Sequence, residues 1–221
     1  MTTKYFAIIP AAGTGTRLKA SKPKQYLKIN DQPLLEHVVN LFTAQNNIEK
    51  VVVVLHAKDH WWPTLKLQHP KKILTVIGGK ERVYSVLLGL DFLKDYANKD
   101  DFILVHDAAR PYLQEKDIAH LIHELKNNAV GGLLGLPVID TLKRVDKNDD
   151  VVETISREQL WQAQTPQCFR YHLLKSSIEK ALSEKKQVTD ESSAVEAAGF
   201  KPKMILGKVY NKKITFADDL D

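Results

Sequence analysis

The sequence predicts an α/β fold built on a largely parallel sheet with right-handed crossovers. Three observations predict it: short apolar, β-branched runs recur through the first half of the chain, stretches of helical periodicity separate them, and polar or glycine-containing loops follow the runs. The runs are Tyr5-Phe6-Ala7-Ile8-Ile9, Val51-Val52-Val53-Val54-Leu55, Ile73-Leu74-Thr75-Val76-Ile77 and Phe102-Ile103-Leu104-Val105. Each is continuously apolar rather than alternating, as a strand covered on both faces should be. Leu34, Leu35, Val38, Val39, Leu41 and Phe42 supply the first helical stripe, and Pro33 suits its first turn with Asp31 as a cap. Val83, Val86, Leu87, Leu90 and Leu93 supply a second, and Ile118, Leu121, Ile122 and Leu125 a third.

From Pro137 the rhythm changes. Residues 138–159 alternate loosely around the polar turn Asp146-Lys147-Asn148-Asp149-Asp150, which predicts a β-hairpin. A hairpin with so little apolar material is marginal alone in water, so it is expected to lean on something, a second copy of the chain being one candidate. Helices are expected around residues 171–182 and after Thr189-Asp190-Glu191, and short strands near Met204-Ile205-Leu206 and Ile214-Thr215-Phe216. With 221 residues and 43% hydrophobic content the chain predicts one domain, residues 1–221, of which 138–159 form an arm.

Composition excludes several classes. One cysteine, Cys168, rules out an internal disulfide framework and a cysteine-based zinc cage, and with no base beside it in sequence the thiol reads as inert. The apolar run at residues 5–10 is too brief for a signal sequence or a membrane span, so no membrane association and a cytoplasmic location are expected. A net charge of +5 favours anionic partners, but the positive charge is mostly scattered lysine. Without a basic tail, an aromatic-interleaved basic stripe or a recognition helix, nucleic acid is not an expected partner. His120 and His123 point away from their apolar stripe and do not read as metal ligands. Trp61-Trp62-Pro63 fits packing and surface equally.

Three loops carry the chemical signal. Pro10-Ala11-Ala12-Gly13-Thr14-Gly15-Thr16-Arg17 follows the first strand; its small residues let backbone N–H groups approach an anion. The dinucleotide fingerprint fails at Leu18, and no Gly-Lys-Ser/Thr closes a P-loop. What remains is a glycine-rich loop ending in Arg17, with Lys24 seven residues on, a planar fork and a compact charge suited to a polyphosphate. His106-Asp107-Ala108-Ala109-Arg110-Pro111 follows the fourth strand: Asp107 suits a hard divalent cation or a helix cap, and Arg110 suits a phosphate or an acidic neighbour. Gly78-Gly79-Lys80-Glu81-Arg82-Val83-Tyr84-Ser85 follows the third strand. All three lie at the carboxyl edge of the expected sheet, where α/β folds bind ligands.

These residues also carry a resemblance. The loop at 10–17, Pro23-Lys24-Gln25-Tyr26, Leu35-Glu36-His37, the motif at 78–82, the motif at 105–111, Asp140-Thr141, Thr165-Pro166-Gln167 and Thr189-Asp190-Glu191 together resemble the 2-C-methyl-D-erythritol 4-phosphate cytidylyltransferases of the non-mevalonate isoprenoid pathway. The match runs from residue 5 to about 216. It implies a Rossmann-like nucleotidyltransferase fold with a protruding β-arm that crosses to the partner in a homodimer. It also implies a magnesium-dependent reaction of CTP with a sugar-alcohol phosphate.

By position, the resemblance makes Arg17 and Lys24 the catalytic pair and Asp107 the magnesium ligand. Ala11, Ala12, Gly13, Gly79 and Ser85 fall in the nucleotide pocket, with Lys213 at the CTP phosphates. Thr141, Arg157, Thr165, Thr189 and Arg110 fall on the second substrate, and Arg157 would act in the partner's cleft. Lys80 departs from the acidic residue of many relatives, leaving base recognition there to backbone atoms, and relatives run on beyond the position of Asp221. A ribitol 5-phosphate cytidylyltransferase is the alternative enzyme. It shares the nucleotide side, while residues 140–144, 156–157 and 189–191 favour methylerythritol phosphate. A regulatory nucleotide-binding module is the alternative class, and retention of Arg17 and Lys24 argues against it.

Overall fold

The computed structural model describes residues 3–13, 22–215 and 219. Strand β1 (Tyr5–Pro10) is followed by a small hairpin, β2 (Lys28–Ile29) and β3 (Gln32–Pro33), then α1 (Leu34–Ala44), β4 (Ile48–Leu55), β5 (Ile73–Ile77), α2 (Arg82–Phe92), β6 (Phe102–Val105) and α3 (Glu115–Leu125). The rest comprises β7 (Gly131–Pro137), β8 (Leu142–Val145), β9 (Val151–Ile155), β10 (Trp161–Arg170), α4 (Tyr171–Ser183), α5 (Glu191–Ala197) and β11 (Lys203–Leu206). Seven strands form one sheet in the order β11-β7-β10-β6-β1-β4-β5. β5, β4, β1 and β6 are parallel, β10 runs antiparallel between β6 and β7, and β11 is parallel to β7. This is the predicted α/β class. From β1 the chain goes to β4 on one side and later to β6 on the other, so the loops after β1 and β6 part and open a crevice between them.

Strand periodicity accounts for the continuous apolar runs. Ala7 and Ile9 of β1, Val51 and Val53 of β4 and Leu104 of β6 point to one face, where they pack with Val38, Val39 and Phe42 of α1 and Ile118 and Leu121 of α3. Phe6 and Ile8, Val52 and Val54, and Ile103 and Val105 point to the other face, against Val86 and Leu90 of α2, Leu174 and Ile178 of α4 and Val195 of α5. Covered on both sides, these strands have no polar face to show. Trp61 and Trp62 pack, half buried, against the first of these clusters. Cys168 is fully buried, and burial pushes its thiol up, consistent with an inert residue. His120 and His123 face outward from α3.

The structure departs from the expectation at several elements. Asp31 does not cap α1: it sits at φ 64° in the turn between β2 and β3, and α1 starts only at Leu34, whose N–H donates to Leu27 O at 2.9 Å. Pro33, not yet helical, belongs to β3. Residues 214 and 215 form no strand: Ile214 is buried and its N–H donates to Ala109 O at 2.8 Å, tying this segment to the loop after β6; Phe216 lies outside the described residues. β5 is an edge strand, with Ile77 well exposed, rather than a strand covered on both faces. β7 and β10 were not expected as strands. In β7 a Cβ at Gly132 would lie 2.1 Å from Lys203 O, so the close approach of β11 requires a residue with no strand propensity.

The expected hairpin is present as β8 and β9, a separate two-stranded sheet. Its Ile139, Val151 and Val152 are 76%, 62% and 63% exposed, so the apolar side chains of the arm are uncovered in the single chain.

Gly78 shows how tightly the loops after β1 and β5 meet. A Cβ there would lie 2.5 Å from Ala12 Cβ and 2.8 Å from Ser85 Oγ. Gly78→Ala should therefore destabilise the protein by about 1–3 kcal/mol in urea unfolding, the scale of overpacking. Gly13, around which a Cβ would meet nothing within 4 Å among the described residues, should accept alanine within about 0.5 kcal/mol. Equal losses for the two variants would show that the loops do not close on each other as described.

Candidate active site

The crevice is lined by Pro10, Ala11, Ala12 and Gly13 after β1, by Gly79, Lys80, Glu81, Arg82 and Ser85 around the start of α2, by Asp107, Ala108 and Ala109 after β6, and by Lys24, Gln25 and Lys213. The three loops singled out in the sequence thus meet in one cleft. Four cationic side chains and two carboxylates line it among the described residues, a balance that favours a polyanion. Arg17 lies outside the described residues.

Local hydrogen bonds hold each wall. Gln25 donates through Nε2 to Ala11 O at 2.7 Å and to Gly13 O at 3.1 Å, and Ala11 N–H donates to Val54 O at 2.8 Å. The loop carbonyls, which would repel an anion, are thereby engaged by a protein donor. Gln25 stood in the motif at 23–26, but the sequence assigned it no role. On the second wall Ser85 Oγ accepts from Gly79 N–H at 3.2 Å and donates to Glu81 O at 3.3 Å, pinning the glycine pair over the first turn of α2.

Asp107 is the electrostatic centre. It is 8% exposed, with Oδ1 accepting from Arg82 Nε at 3.0 Å and Oδ2 lying 2.8 Å from Lys213 Nζ and 3.8 Å from Arg110 Nε. Burial alone would raise its pKa, but Arg82, Lys213 and Arg110 more than reverse this and hold the carboxyl well below the usual carboxylate range. Arg82 spends the rest of its fork on Glu191, with Nη1 to Oε1 at 2.7 Å and Nη2 to Oε2 at 3.0 Å. Burial opposes the charge on Arg82, yet Glu191 and Asp107 lift its pKa above the ordinary value. Burial raises that of Glu191, with Arg82 opposing. Both residues stood in sequence motifs, but no spacing rule pairs positions 82 and 191.

A buried chain of hydrogen bonds fixes the Asp107 backbone from below. Asp107 N–H donates to Thr165 Oγ1 at 3.1 Å, and Thr165 Oγ1 lies 2.9 Å from His106 Nδ1, whose Nε2 lies 3.1 Å from Arg110 O. A carbonyl only accepts, so Nε2 carries the imidazole proton, Nδ1 accepts, and the Thr165 hydroxyl donates to it. Burial pushes the His106 pKa down to about 4, keeping the ring neutral.

Ala11, Ala12, Gly13, Lys24, Gly79, Ser85, Asp107 and Lys213 therefore share the cleft. Arg110 lies beside it: Nη1 donates to Asn211 O at 2.7 Å and Nη2 to Ala163 O at 3.3 Å, and burial lowers its pKa. Thr165 lies beneath, buried. Thr189 is exposed just before α5, its N–H donating to Ser193 Oγ at 3.1 Å. Thr141 and Arg157 sit exposed at the root of the arm, where Arg157 donates to Ile139 O, and neither lines this cleft.

Comparison with known proteins follows the same lines. The family model described as "IspD: 2-C-methyl-D-erythritol 4-phosphate cytidylyltransferase" matches residues 5–221. The 2-C-methyl-D-erythritol 4-phosphate cytidylyltransferase of Dechloromonas aromatica is 47% identical over 219 residues, covering 98% of this chain and 94% of its own. That of Hahella chejuensis is 42% identical over 217 residues, covering 98% and 90%. The crystal structure of the Francisella tularensis enzyme of the same description superposes with a TM-score of 0.85 at 35% identity, covering 99% of this chain and 97% of its own.

The neutral, buried His106 makes stability depend on pH. Its pKa is lower in the folded than in the unfolded chain, so between about pH 6.5 and pH 4 the unfolded state binds the extra proton and stability falls as pH falls. The loss should reach on the order of 3 kcal/mol across that window. Urea midpoints measured from pH 7 to pH 4.5 should decline in the native protein and decline less in His106→Gln. An identical decline in both would place the titrating group elsewhere.

Proposed function

The chain belongs to the 2-C-methyl-D-erythritol 4-phosphate cytidylyltransferase family, and on that premise we propose how its residues divide the work. The protein is a nucleotidyltransferase: the phosphate of 2-C-methyl-D-erythritol 4-phosphate attacks the CTP α-phosphate, giving 4-diphosphocytidyl-2-C-methyl-D-erythritol and pyrophosphate. The comparisons do not favour ribitol 5-phosphate as acceptor. What carries the assignment of this cleft is the ionised Asp107, ringed by Arg82, Lys213 and Arg110, at the switch point of the sheet and facing the same crevice as Lys24.

In this reading the loop at 11–13 with Gly79 and Ser85 binds the nucleotide, and Lys24, with Arg17, stabilises charge developing on the α-phosphate. Little covalent work falls to the protein in phosphoryl-type transfer, and positioned charge supplies most of the acceleration. Lys213, whose side chain is half exposed, turns from Asp107 to the triphosphate. Arg110, Thr165 and Thr189 serve the acceptor side, Thr165 chiefly by fixing the backbone of Asp107.

The donor set suits magnesium. The ion takes one or two carboxylates and completes its shell with water and phosphate oxygens. Asp107 offers one ionised carboxylate, and no group of three or more His, Cys, Asp or Glu side chains forms a protein cage among the described residues. Asp107 would hold the ion, and the triphosphate would supply the remaining anionic ligands. When bound there, magnesium supplies neutralisation of the triphosphate and of the departing pyrophosphate.

The arm supports a homodimer. Its uncovered Ile139, Val151 and Val152 need a partner surface, and Thr141 and Arg157 at its root do not reach the cleft of their own chain. A second copy would bury the arm and bring these two residues to the opposite cleft. A cytoplasmic location accords with CTP as substrate; no helix among the described residues is long and apolar enough to cross a membrane.

Lys24→Ala should slow pyrophosphate release from CTP and methylerythritol phosphate by roughly two to three orders of magnitude, about 3–4 kcal/mol of barrier. An unchanged turnover number would remove Lys24 from the reacting centre. Asp107→Asn should move the magnesium titration of activity to higher concentration, and superimposable titrations would count against ligation. Mixing inactive Arg157→Ala subunits with inactive Lys24→Ala subunits should restore about a quarter of native activity, because half of randomly mixed dimers hold one intact composite site. Verified hybrids without recovery would contradict action across the dimer.

A further inference from the structure

Arg82 joins two parts of the molecule that are far apart in sequence. Its Nε donates to Asp107 Oδ1 at 3.0 Å after β6, and its Nη1 and Nη2 donate to the two oxygens of Glu191 at 2.7 and 3.0 Å. Glu191 is 2% exposed and is the first residue of α5, two residues beyond Thr189. The same end of α5 is fastened a second time. Gln167 donates through Nε2 to Asp190 Oδ2 at 2.8 Å and accepts Ser192 N–H at 2.8 Å. The segment that carries Thr189 thus has two anchors: Gln167 ties it to β10, and Arg82 ties it directly to the Asp107 carboxylate.

Packing alone does not require this arrangement. Burying a carboxylate costs several kcal/mol, and an apolar pair of similar volume often serves a fold equally well or better. What an apolar pair cannot do is hold Asp107 Oδ1. Lysine could not replace Arg82 either, because one ammonium on a flexible stem does not present the planar fork that meets two carboxylates at once. The oxygens of Asp107 are also unequal: Oδ1 faces an arginine anchored by a buried glutamate, and Oδ2 faces the half-exposed Lys213. The first contact is fixed and the second can exchange.

We propose that Arg82 is a positioning residue that couples the nucleotide side of the site to the acceptor side, holding Asp107 with one edge of its fork and the Thr189 segment, through Glu191, with the other. The inference rests on the reading above that Asp107 serves CTP and magnesium while Thr189 serves the acceptor. Loss of the fork then loosens both sides together, although Glu191 itself does not line the cleft.

The decisive variant replaces the pair as a unit, Arg82→Met with Glu191→Leu, so that no buried Glu191 charge is left unpaired while Asp107 keeps Lys213 and Arg110 beside Oδ2. It should melt within a few degrees of the native protein. Its CTP dissociation constant in the presence of magnesium, measured by calorimetry, and its KM for methylerythritol phosphate should each rise at least tenfold. A folded double variant with native values for both ligands would overturn the proposal, as would one in which only a single side is weakened. Arg82→Lys, which keeps the charge and loses the fork, gives the same readouts should the double variant not fold: weakening of both ligands supports coupling, and native values overturn it. Glu191→Gln, which retains hydrogen-bonding oxygen, should recover part of both affinities relative to the double variant. Thr189→Ala run alongside tests the acceptor-side assignment separately, since that variant should raise the acceptor KM while leaving CTP binding at its native value.

Discussion

A carboxylate withdrawn from water must be surrounded by cations, and Asp107 imposes that condition on distant parts of the chain. Arg82 arrives from the start of α2, Arg110 from the loop after β6 and Lys213 from beyond β11. Arg82 in turn requires Glu191, because a guanidinium facing a single acid would leave much of its fork unsatisfied in a largely buried place. Satisfying one anion therefore draws in both sides of the sheet's switch point and the amino end of α5. The parallel sheet delivers the loops to one edge, and the charges decide how they dock.

On the reading proposed above, the same constraint prepares the cleft for its reaction. Arg82 and Arg110, fixed beside an ionised Asp107, would need little reorganisation when a triphosphate enters, which is the condition under which electrostatic stabilisation is most effective. Below the charges the support is neutral. His106, kept uncharged by burial, accepts from Thr165, and Thr165 accepts from Asp107 N–H, so the backbone that aims the carboxylate is held without adding a competing charge. A protonated imidazole at that position could not accept from the threonine hydroxyl, and the aim of Asp107 would lose its support.

Much of this was legible in the sequence, and the illegible part has a common cause. β1, β4 and β6 declared themselves because both faces are covered and every residue is apolar. The loops at 10–13, 78–82 and 106–111 declared themselves because they follow such strands. β7 was hidden because the close approach of β11 requires Gly132, which carries no strand signal, and β10 because Pro166 and several polar residues interrupt it. Asp31 resembled a cap because nothing local distinguishes a residue two positions before Pro33 in a hairpin turn from one before a helix. The pairings Arg82 with Glu191 and His106 with Thr165 lie beyond any local pattern, since their partners are separated by 109 and 59 residues. Local chemistry marks which side chains can act, and only the assembled sheet says which of them meet.

The choice between arginine and lysine around Asp107 follows from what each contact must do. Arg82 and Arg110 are tied to groups of the protein itself, Glu191 in one case and the Asn211 and Ala163 carbonyls in the other, so neither can leave without breaking several bonds. Lys213 touches Asp107 with a single ammonium on a half-exposed stem. Rigid forks thus hold the frame, and a flexible point charge faces the oxygen whose partner would change on the reading proposed above. Exchanging the two residue types would reverse this division, leaving a mobile frame around an oxygen that could not be released. The arm extends the same logic beyond the single chain: its exposed apolar strands and the Arg157 at its root have no use for the cleft of their own subunit. In the homodimer proposed above, a second subunit would satisfy both needs in one contact.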